Sequence, residues 1–424
     1  MGGDINVRET QSGGILSSAG DHLPREVSRQ PSSMQKRDLI GACVAHMLHD
    51  GYTDQLYALL PIWQAQFGLS YAGLAIVRVL YYGTMGALQV PADKLIGKFS
   101  FRAALSLATF IAAVGYLVTA LPGGLPVLCG GLVVAGIGSS TQHPRASLLV
   151  TQAYGKQSRG PLSIYNFAGD LGKATLPALV ALLLPILAWR SVMMLTAFIG
   201  LVTATALLMI IPKQRAVSAT RDEKPDAYVH DGKGFGLLLI IGALDTAPRM
   251  GYLLFLPFLI HAKGGAAATV GLGLALLFMG GALGKAVCGW LGQRLGVVRS
   301  VILTEGATAL LMLSTLALPL PALLVSLPLL GIALNGTSSV LYGTVPDLAP
   351  KGDTGKAFAM FYTGVIVTGG LAPIAYGIVA DHTSRSLGIA ASAFTAAVII
   401  PLVLGLRSVL IKLEATHRAA SNGS

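Results

Sequence analysis

PKQRAVSATRDEKPDAYVHDGKG, residues 212–234, is the polar stretch that divides this chain. It gathers Lys213, Arg215, Arg221, Lys224 and Lys233 with Asp222, Glu223, Asp226 and Asp231, in the middle of an otherwise apolar sequence. On either side the sequence reads as one design used twice. Shifted by 195 residues, Pro126 falls on Pro321, Gly136-Ile137 on Gly331-Ile332, Gly160 on Gly355 and Gly169 on Gly364. A repeat this long is no solenoid unit. Two like halves of several apolar spans, joined by a charged loop, match the internal-repeat architecture of secondary transporters.

Composition sets the class. Of 424 residues, 53% are hydrophobic and only 12% charged, against about 25% charged in a soluble domain. The chain therefore reads as a polytopic membrane protein with the lipid bilayer as its solvent. Its net charge of +11 is scattered over short connections and tails rather than gathered on one module, which argues against nucleic acid as a partner. Cys43, Cys129 and Cys288 lie in apolar runs without metal-ligand spacing or a disulfide framework, so no metal site is expected. Residues 1–36 are polar and aperiodic and read as a disordered tail without the apolar core of a secretory signal. Met34 is a candidate start for the native chain.

A span needs about 20 apolar residues. On that measure helices fall at about 38–60, 72–93, 101–121, 125–149, 160–186 and 189–211, then at about 235–260, 267–290, 299–318, 322–346, 355–380 and 386–411. This is an all-α membrane protein of twelve transmembrane helices in two six-helix pseudo-repeats. Its expected parts are an N-terminal bundle over 37–211, a central loop over 212–234, a C-terminal bundle over 235–411 and a tail over 412–424. With the N-terminus inside, the cytoplasmic connections hold Lys94, Lys98, Arg102, Lys156, Arg159, Arg294, Arg299, Lys351 and Lys356. The external ones hold Arg190, Lys263 and Arg385. The positive-inside rule thus puts both termini in the cytoplasm. Glycines crowd the eighth span (271, 273, 280, 281, 284) and the fourth (130, 131, 136, 138), as close helix packing requires.

Two loop motifs lie one repeat apart. Residues 289–299 read Gly-Trp-Leu-Gly-Gln-Arg-Leu-Gly-Val-Val-Arg, and residues 91–98 read Pro-Ala-Asp-Lys-Leu-Ile-Gly-Lys. Asp93, Lys94, Gly289, Gln293, Arg294 and Gly296 are the candidate cytoplasmic gate residues, offering a turn and charges that can cap a neighbouring helix end. The pair resembles the loop signature of the major facilitator superfamily, with Gln293 at its acidic position. His46-Met47-Leu48-His49-Asp50, Pro61 and Phe67-Gly68-Leu69-Ser70-Tyr71 are similar to the opening of the fosmidomycin-resistance-type exporters in that superfamily. So is Gly138-Ser139-Ser140-Thr141-Gln142-His143-Pro144, although Arg145 stands where that branch has Glu. The resemblance implies a two-bundle carrier fold over residues 38–411. It implies proton-driven export of a drug-like compound. The chain is read as a monomer.

Charges within the spans are functional candidates because burial in hydrocarbon is costly. His46, Asp50, Asp54 and Tyr57 share one face of the first helix. Asp50 lies about 12 residues in, near the midplane at 1.5 Å per residue. With no basic neighbour on their own helix, Asp50 and Asp54 are the expected proton carriers, together with His46 and His49. Asn166, Gly169, Asp170 and Lys173 form a second stripe; Asp245, Arg249 and Tyr252 a third; Asn335, Ser338, Ser339 and Tyr342 a fourth. Arg249, Asp245, Asp170, Tyr165, Asn166, His143, Tyr362 and Asn335 are expected to shape the substrate site, with Arg249 as a fork for an anionic group. Against this, Asp245 with Arg249 and Asp170 with Lys173 are spaced to pair within their own helices, and His143 could be a packing histidine. Arg78 and Arg145 lie close enough to helix ends to snorkel.

No phosphate-binding glycine loop and no nucleophile constellation stands out, so neither ATP-driven pumping nor an enzyme is expected, and no cofactor. The reading is a secondary active transporter of the inner-membrane type, coupling protons to the efflux of a small drug-like or anionic molecule. A proton symporter taking up an organic anion is the nearest rival. A non-transporting sensor or assembly factor on the same scaffold is the third.

Overall fold

The structure, a computed structural model, describes residues 31–213, 232–350 and 354–421. The tail over 1–30 and most of the central polar stretch lie outside the described residues. Twelve α-helices run through the rest: α1 Ser33–Phe67, α2 Tyr71–Ile96, α3 Phe101–Ala120, α4 Gly124–Ser139, α5 Gln142–Tyr154, α6 Arg159–Leu183, α7 Trp189–Ile210, α8 Gly232–Ala262, α9 Ala267–Ala317, α10 Leu320–Thr344, α11 Thr354–His382 and α12 Arg385–Ser421. The described residues contain no strand.

Helix ends differ from expectation where local chemistry overrides apolarity. Residues 33–36, expected to be disordered, form the first turn of α1. Ser32 and Gln35 close a capping box there, Gln35 N donating to Ser32 Oγ at 3.2 Å and Ser32 N to Gln35 Oε1 at 2.8 Å. At the other end α12 continues to Ser421, ten residues past the apolar stretch. The fourth span is two helices. Pro144 has no N–H to give and its ring crowds the carbonyl of residue 140, so the chain breaks at Ser140-Thr141 between α4 and α5. The eighth and ninth spans run together as α9, parted only at Gly296, whose φ of 77° and ψ of 167° suit glycine alone. Gly289, Gln293 and Arg294 are thus helical and not in a loop, and Asp93 and Lys94 belong to the last turns of α2.

With α4–α5 as one crossing and α9 as two, the chain makes twelve. Eight helical stretches are long and apolar enough to span by themselves. The ones that fall short are α1, α2 and α6, and these three carry the buried His46, His49, Asp50, Asp54, Arg78 and Asp170. Polar side chains that lower their apolarity are the same ones that converge in the interior.

The cores show how the halves meet. At the end opposite the termini one continuous core joins both halves, running through Leu56, Leu59 and Trp63 of α1, Leu74 of α2, and Leu253, Leu256 and Ile260 of α8. At the terminal end there are two cores. Ala42, Phe101, Leu149 and Leu207 belong to the first half, and Phe235, Val301, Leu341 and Leu406 to the second. The halves are therefore sealed at the far end and parted toward the termini. The seal has a polar component: Asp381, at the end of α11, accepts from Tyr71 N at 2.8 Å and Ala72 N at 3.0 Å, capping α2 across the boundary. The Tyr71 ring packs edge-on against Phe255 and Phe258 of α8.

Candidate functional site

The site forms where α1 crosses α6. Gly172 lets the two backbones touch, since a Cβ there would strike the carbonyl of Met47. One turn earlier, a Cβ on Gly169 would lie 2.5 Å from His46 Cε1 and 2.7 Å from Asp50 Oδ2. Gly169 thus makes the room that His46 and Asp50 occupy.

Within that room the hydrogen bonds have a fixed direction. His46 Nδ1 lies 2.8 Å from the carbonyl of Tyr165, which can only accept, so this nitrogen carries a hydrogen. The imidazole stacks on the Tyr165 ring at 4.0 Å and turns Nε2 to Asp50 Oδ2 at 3.2 Å. A second hydrogen on Nε2 makes that contact attractive; without it two lone pairs face each other. His143 Nε2 approaches Asp50 Oδ1 at 3.4 Å, and Lys173 Nζ reaches Oδ2 at 3.2 Å.

Lys173 continues the chain of charges to Asp170, at 3.6 Å. Asp170 is held more tightly by Lys285 of α9, whose Nζ is 2.7 Å from both carboxylate oxygens. Because α6 belongs to the first half and α9 to the second, this ion pair joins the halves. The Asp50 and Asp170 side chains are 7% exposed, whereas His143 and Lys285 are 42% and 43% exposed. The chain of charges lies at the wall of the cleft, with its carboxylates buried and its outer cations open. His46, Asp50 and His143 have donor atoms within 4.8 Å of one another, spacing that a metal ion could use. The Lys173 ammonium already neutralises Asp50 there, so the donor set is no better fitted to a metal than to a proton.

Other expected residues fall around this centre. His49 is buried edge-on to the His143 ring at 4.5 Å, with both nitrogens unpartnered. Asp54 is buried and has no ion pair among the described residues. Asn166 is exposed, one turn before Asp170. In the second half, Asp245 and Arg249 do not form the expected intrahelical pair: no ion pair joins them, and Asp245 Oδ2 instead accepts from Ser338 of α10 at 2.7 Å. Arg249 donates to the neutral oxygens of Asn335 at 3.3 Å, Ser338 at 3.4 Å and Thr246 at 3.4 Å. Its guanidinium has no carboxylate partner among the described residues. Tyr362 is exposed and packs against Tyr342 at 5.0 Å between ring centres, at the terminal side of the second half.

Neither arginine expected to snorkel does so. Arg78 is 1% exposed, and its guanidinium stacks over Tyr57 and Tyr82 at 4.7 and 4.9 Å, with Nη2 toward Met250 Sδ at 3.4 Å. The aromatic faces shelter the cation in the interior. Arg145 turns back to α2, its Nε donating to Asp93 Oδ1 at 2.6 Å and its Nη2 to the Asp93 carbonyl at 2.7 Å. Of the candidate gate residues, Asp93 thus has a partner, supplied by the residue where this chain departs from the exporter branch. Arg294 lies over the Trp290 ring at 5.2 Å.

Comparison with known proteins agrees with this architecture. The family model of the Major Facilitator Superfamily matches residues 42–240 and again 238–423, one match to each half. The chain belongs to the Major Facilitator Superfamily. It is 23% identical to the fosmidomycin resistance protein of Escherichia coli (strain K12) over 366 residues, covering 82% of this chain and 88% of that protein. It is also 23% identical to the D-galactonate transporter of Escherichia coli O6:H1, over 77% of this chain and 84% of that one. In fold it resembles a bacterial homologue of the human lysosomal transporter Spinster in an inward-facing, unoccupied conformation. The TM-score there is 0.74 at 14% identity, covering 91% of this chain and 99% of the other. Major Facilitator Superfamily membership makes this a multi-pass membrane protein of a transporter family.

Several residues or pairings that tie the helices together lie outside the sequence-based set. Lys285 is visible in the sequence as a cation within a span, but its segment carries no acid, so nothing there points to Asp170 as its partner. Glu305 is a lone acid on the ninth span with no ionisable group at helical spacing to mark a polar stripe, although a single intramembrane carboxyl is signal enough. Asp381 is a helix-end acid whose partner lies 310 positions away.

Proposed function

We propose that this chain is a proton-coupled exporter of a small drug-like or anionic compound, working by alternating access in a bacterial inner membrane. The observation that carries the reading is the chain of charges from His46 and Asp50 through Lys173 and Asp170 to Lys285, with its carboxylates buried. It crosses from one half to the other at the wall of the cleft. A proton arriving on the His46–Asp50 pair weakens the hold of Asp50 on Lys173, and Lys173 then shifts toward Asp170 and loosens its grip on Lys285. In this way protonation in the first half alters the bond that ties it to the second. The basic connections favour cytoplasmic termini, and on that reading the open cleft faces the cytoplasm and collects substrate there. Likeness to a fosmidomycin resistance protein favours export.

The test uses proteoliposomes with an imposed pH gradient, a pH-sensitive dye inside and a panel of anionic antibiotics and carboxylates. Substrate-dependent proton flux is expected in the wild type and lost in Asp50→Asn. Flux untouched by that substitution would remove the proton from α1.

Uptake of an organic anion by proton symport is the second reading. Arg249, with only neutral oxygens around its guanidinium, is suited to an anionic group, and the D-galactonate transporter is a relative of similar identity. The direction of substrate movement down an imposed proton gradient separates the two.

A further inference from the structure

The second half holds a pair of carboxyl groups that the charge chain does not use. Asp245 of α8 and Glu305 of α9 are 4% and 2% exposed, and their carboxyls lie close enough for one to donate to the other. Two carboxylates cannot both donate and accept without a proton between them.

The surrounding hydroxyls say where that proton lies. Thr304 Oγ1 is 2.9 Å from the carbonyl of Ser300 and 3.2 Å from that of Val301, acceptors that require it to donate. Its lone pair then receives the hydrogen of Thr337, at 2.7 Å. Thr337, having spent its hydrogen on Thr304, offers only a lone pair to Glu305, with which it is also in contact. Glu305 therefore faces two acceptors, the Thr337 oxygen and the Asp245 carboxylate. On the Asp245 side, Oδ2 receives the Ser338 hydrogen at 2.7 Å while Oδ1 is buried with no donor among the described residues. A hydrogen on Glu305 supplies the missing donor.

We propose that Glu305 and Asp245 form a second proton-binding site, in the C-terminal half, that holds one proton on Glu305 in this conformation. Arg249, one turn beyond Asp245, is the nearby cation. The hydroxyls of Thr337 and Ser338 on α10 face the pair, and the thiol of Cys288 on α9 lies near enough to feel the Asp245 charge. With the proton bound, the pair carries one negative charge against the one positive charge of Arg249. Losing the proton gives the pair a second negative charge, draws Arg249 toward the carboxylates and away from Asn335, and so removes the fork from the cleft. The site would thus couple the protonation of the second half to the availability of Arg249. That coupling role rests on the transport reading above; the protonation itself does not.

Infrared spectroscopy of the purified full chain in lipid nanodiscs at neutral pH tests the protonation directly, because a protonated carboxyl has a carbonyl stretch that a carboxylate lacks. A component of that band is expected to move when the protein is made with 13C-carboxyl glutamate. The other glutamates, at 9, 26, 223 and 414, lie outside the spans, so a glutamate that is protonated at neutral pH identifies Glu305. The same component should vanish in Glu305→Gln and persist in Asp50→Asn. Glutamine can donate to Asp245 as the protonated acid does, so the variant keeps the local bonds; if it nonetheless fails to fold, the isotope shift in the wild type decides alone. A band that does not respond to labelled glutamate would overturn the proposal. So would wild-type and Glu305→Gln spectra that superimpose. Loss of proton flux in Asp50→Asn, or its absence in the wild type, bears on the transport reading and leaves this measurement unaffected.

Discussion

Asp170 and Lys285 meet at 2.7 Å across the boundary between the two halves, carboxylate of α6 against ammonium of α9. The ion pairs around it, His46–Asp50, His143–Asp50, Lys173–Asp50, Lys173–Asp170 and Arg145–Asp93, lie within the first half. This one bond therefore reports the separation of the halves on the open side of the far-end seal.

Removing either member leaves a charge without its partner. Asp170→Asn and Lys285→Met are expected to abolish substrate-driven proton flux and to lower stability by about 1–3 kcal/mol. That is below the 3–5 typical of a fully buried pair, because Lys285 is partly open to solvent. The double exchange Asp170→Lys with Lys285→Asp should recover part of the stability, measured by thermal melting in detergent. A loss in the exchanged variant as large as the sum of the two single losses would show that the pair does not act as a unit.

Gly169 is the position where a methyl group does the most local damage to the charge cluster. Gly169→Ala should push His46 from Asp50, cost about 1–3 kcal/mol as an overpacked contact, and reduce flux more than melting temperature. Gly172→Ala should do the reverse. Its clash is with the Met47 backbone, which cannot turn aside, so the expected result is poor folding and low yield.

The cap that Asp381 places on α2 should hold the far end shut. Asp381→Ala removes an acceptor from two backbone N–H groups and frees the first turn of α2. Spin labels at the far ends of α2 and α11, read by pulsed electron resonance, are expected to show a longer and broader distance distribution in the variant. An unchanged distribution would assign the seal to Tyr71, Phe255, Phe258 and the apolar core alone.

Arg145 stands where the exporter branch has Glu, and it is bonded to Asp93. Arg145→Glu should set two carboxylates against each other and lower both flux and melting temperature. Combining it with Asp93→Lys should restore melting temperature more than flux. A single variant that behaves as wild type would leave the Asp93–Arg145 bond without a role.

The sequence made the fold readable because it is written in long apolar runs. Hydrocarbon demands that each span satisfy its own backbone and face outward with apolar side chains, and that demand is met within twenty-odd consecutive residues. Twelve crossings and two like halves both followed from such local patterns. So did the choice of His46, Asp50, Asp170 and Arg249 as interior groups, since an ionisable residue in a span needs a reason. Less of the helix ends was legible: Pro144 split a span, and Gly296 alone separated two.

What only the tertiary structure decided is which charges meet. Spacing along one helix suggested Asp245 with Arg249, yet Asp245 takes its hydrogen bond from Ser338 on another helix. Spacing suggested Asp170 with Lys173, and that contact exists at 3.6 Å, but Lys285 of the other half holds Asp170 more closely. Arg78 and Arg145 were placed at helix ends by counting residues, and packing turned both inward to the aromatic rings and to Asp93. Helical periodicity fixes the face on which a side chain stands. It says nothing of the neighbouring helix that the face will meet, because that depends on crossings set by glycines such as Gly169 and Gly172 and on the way the two halves close at one end and part at the other.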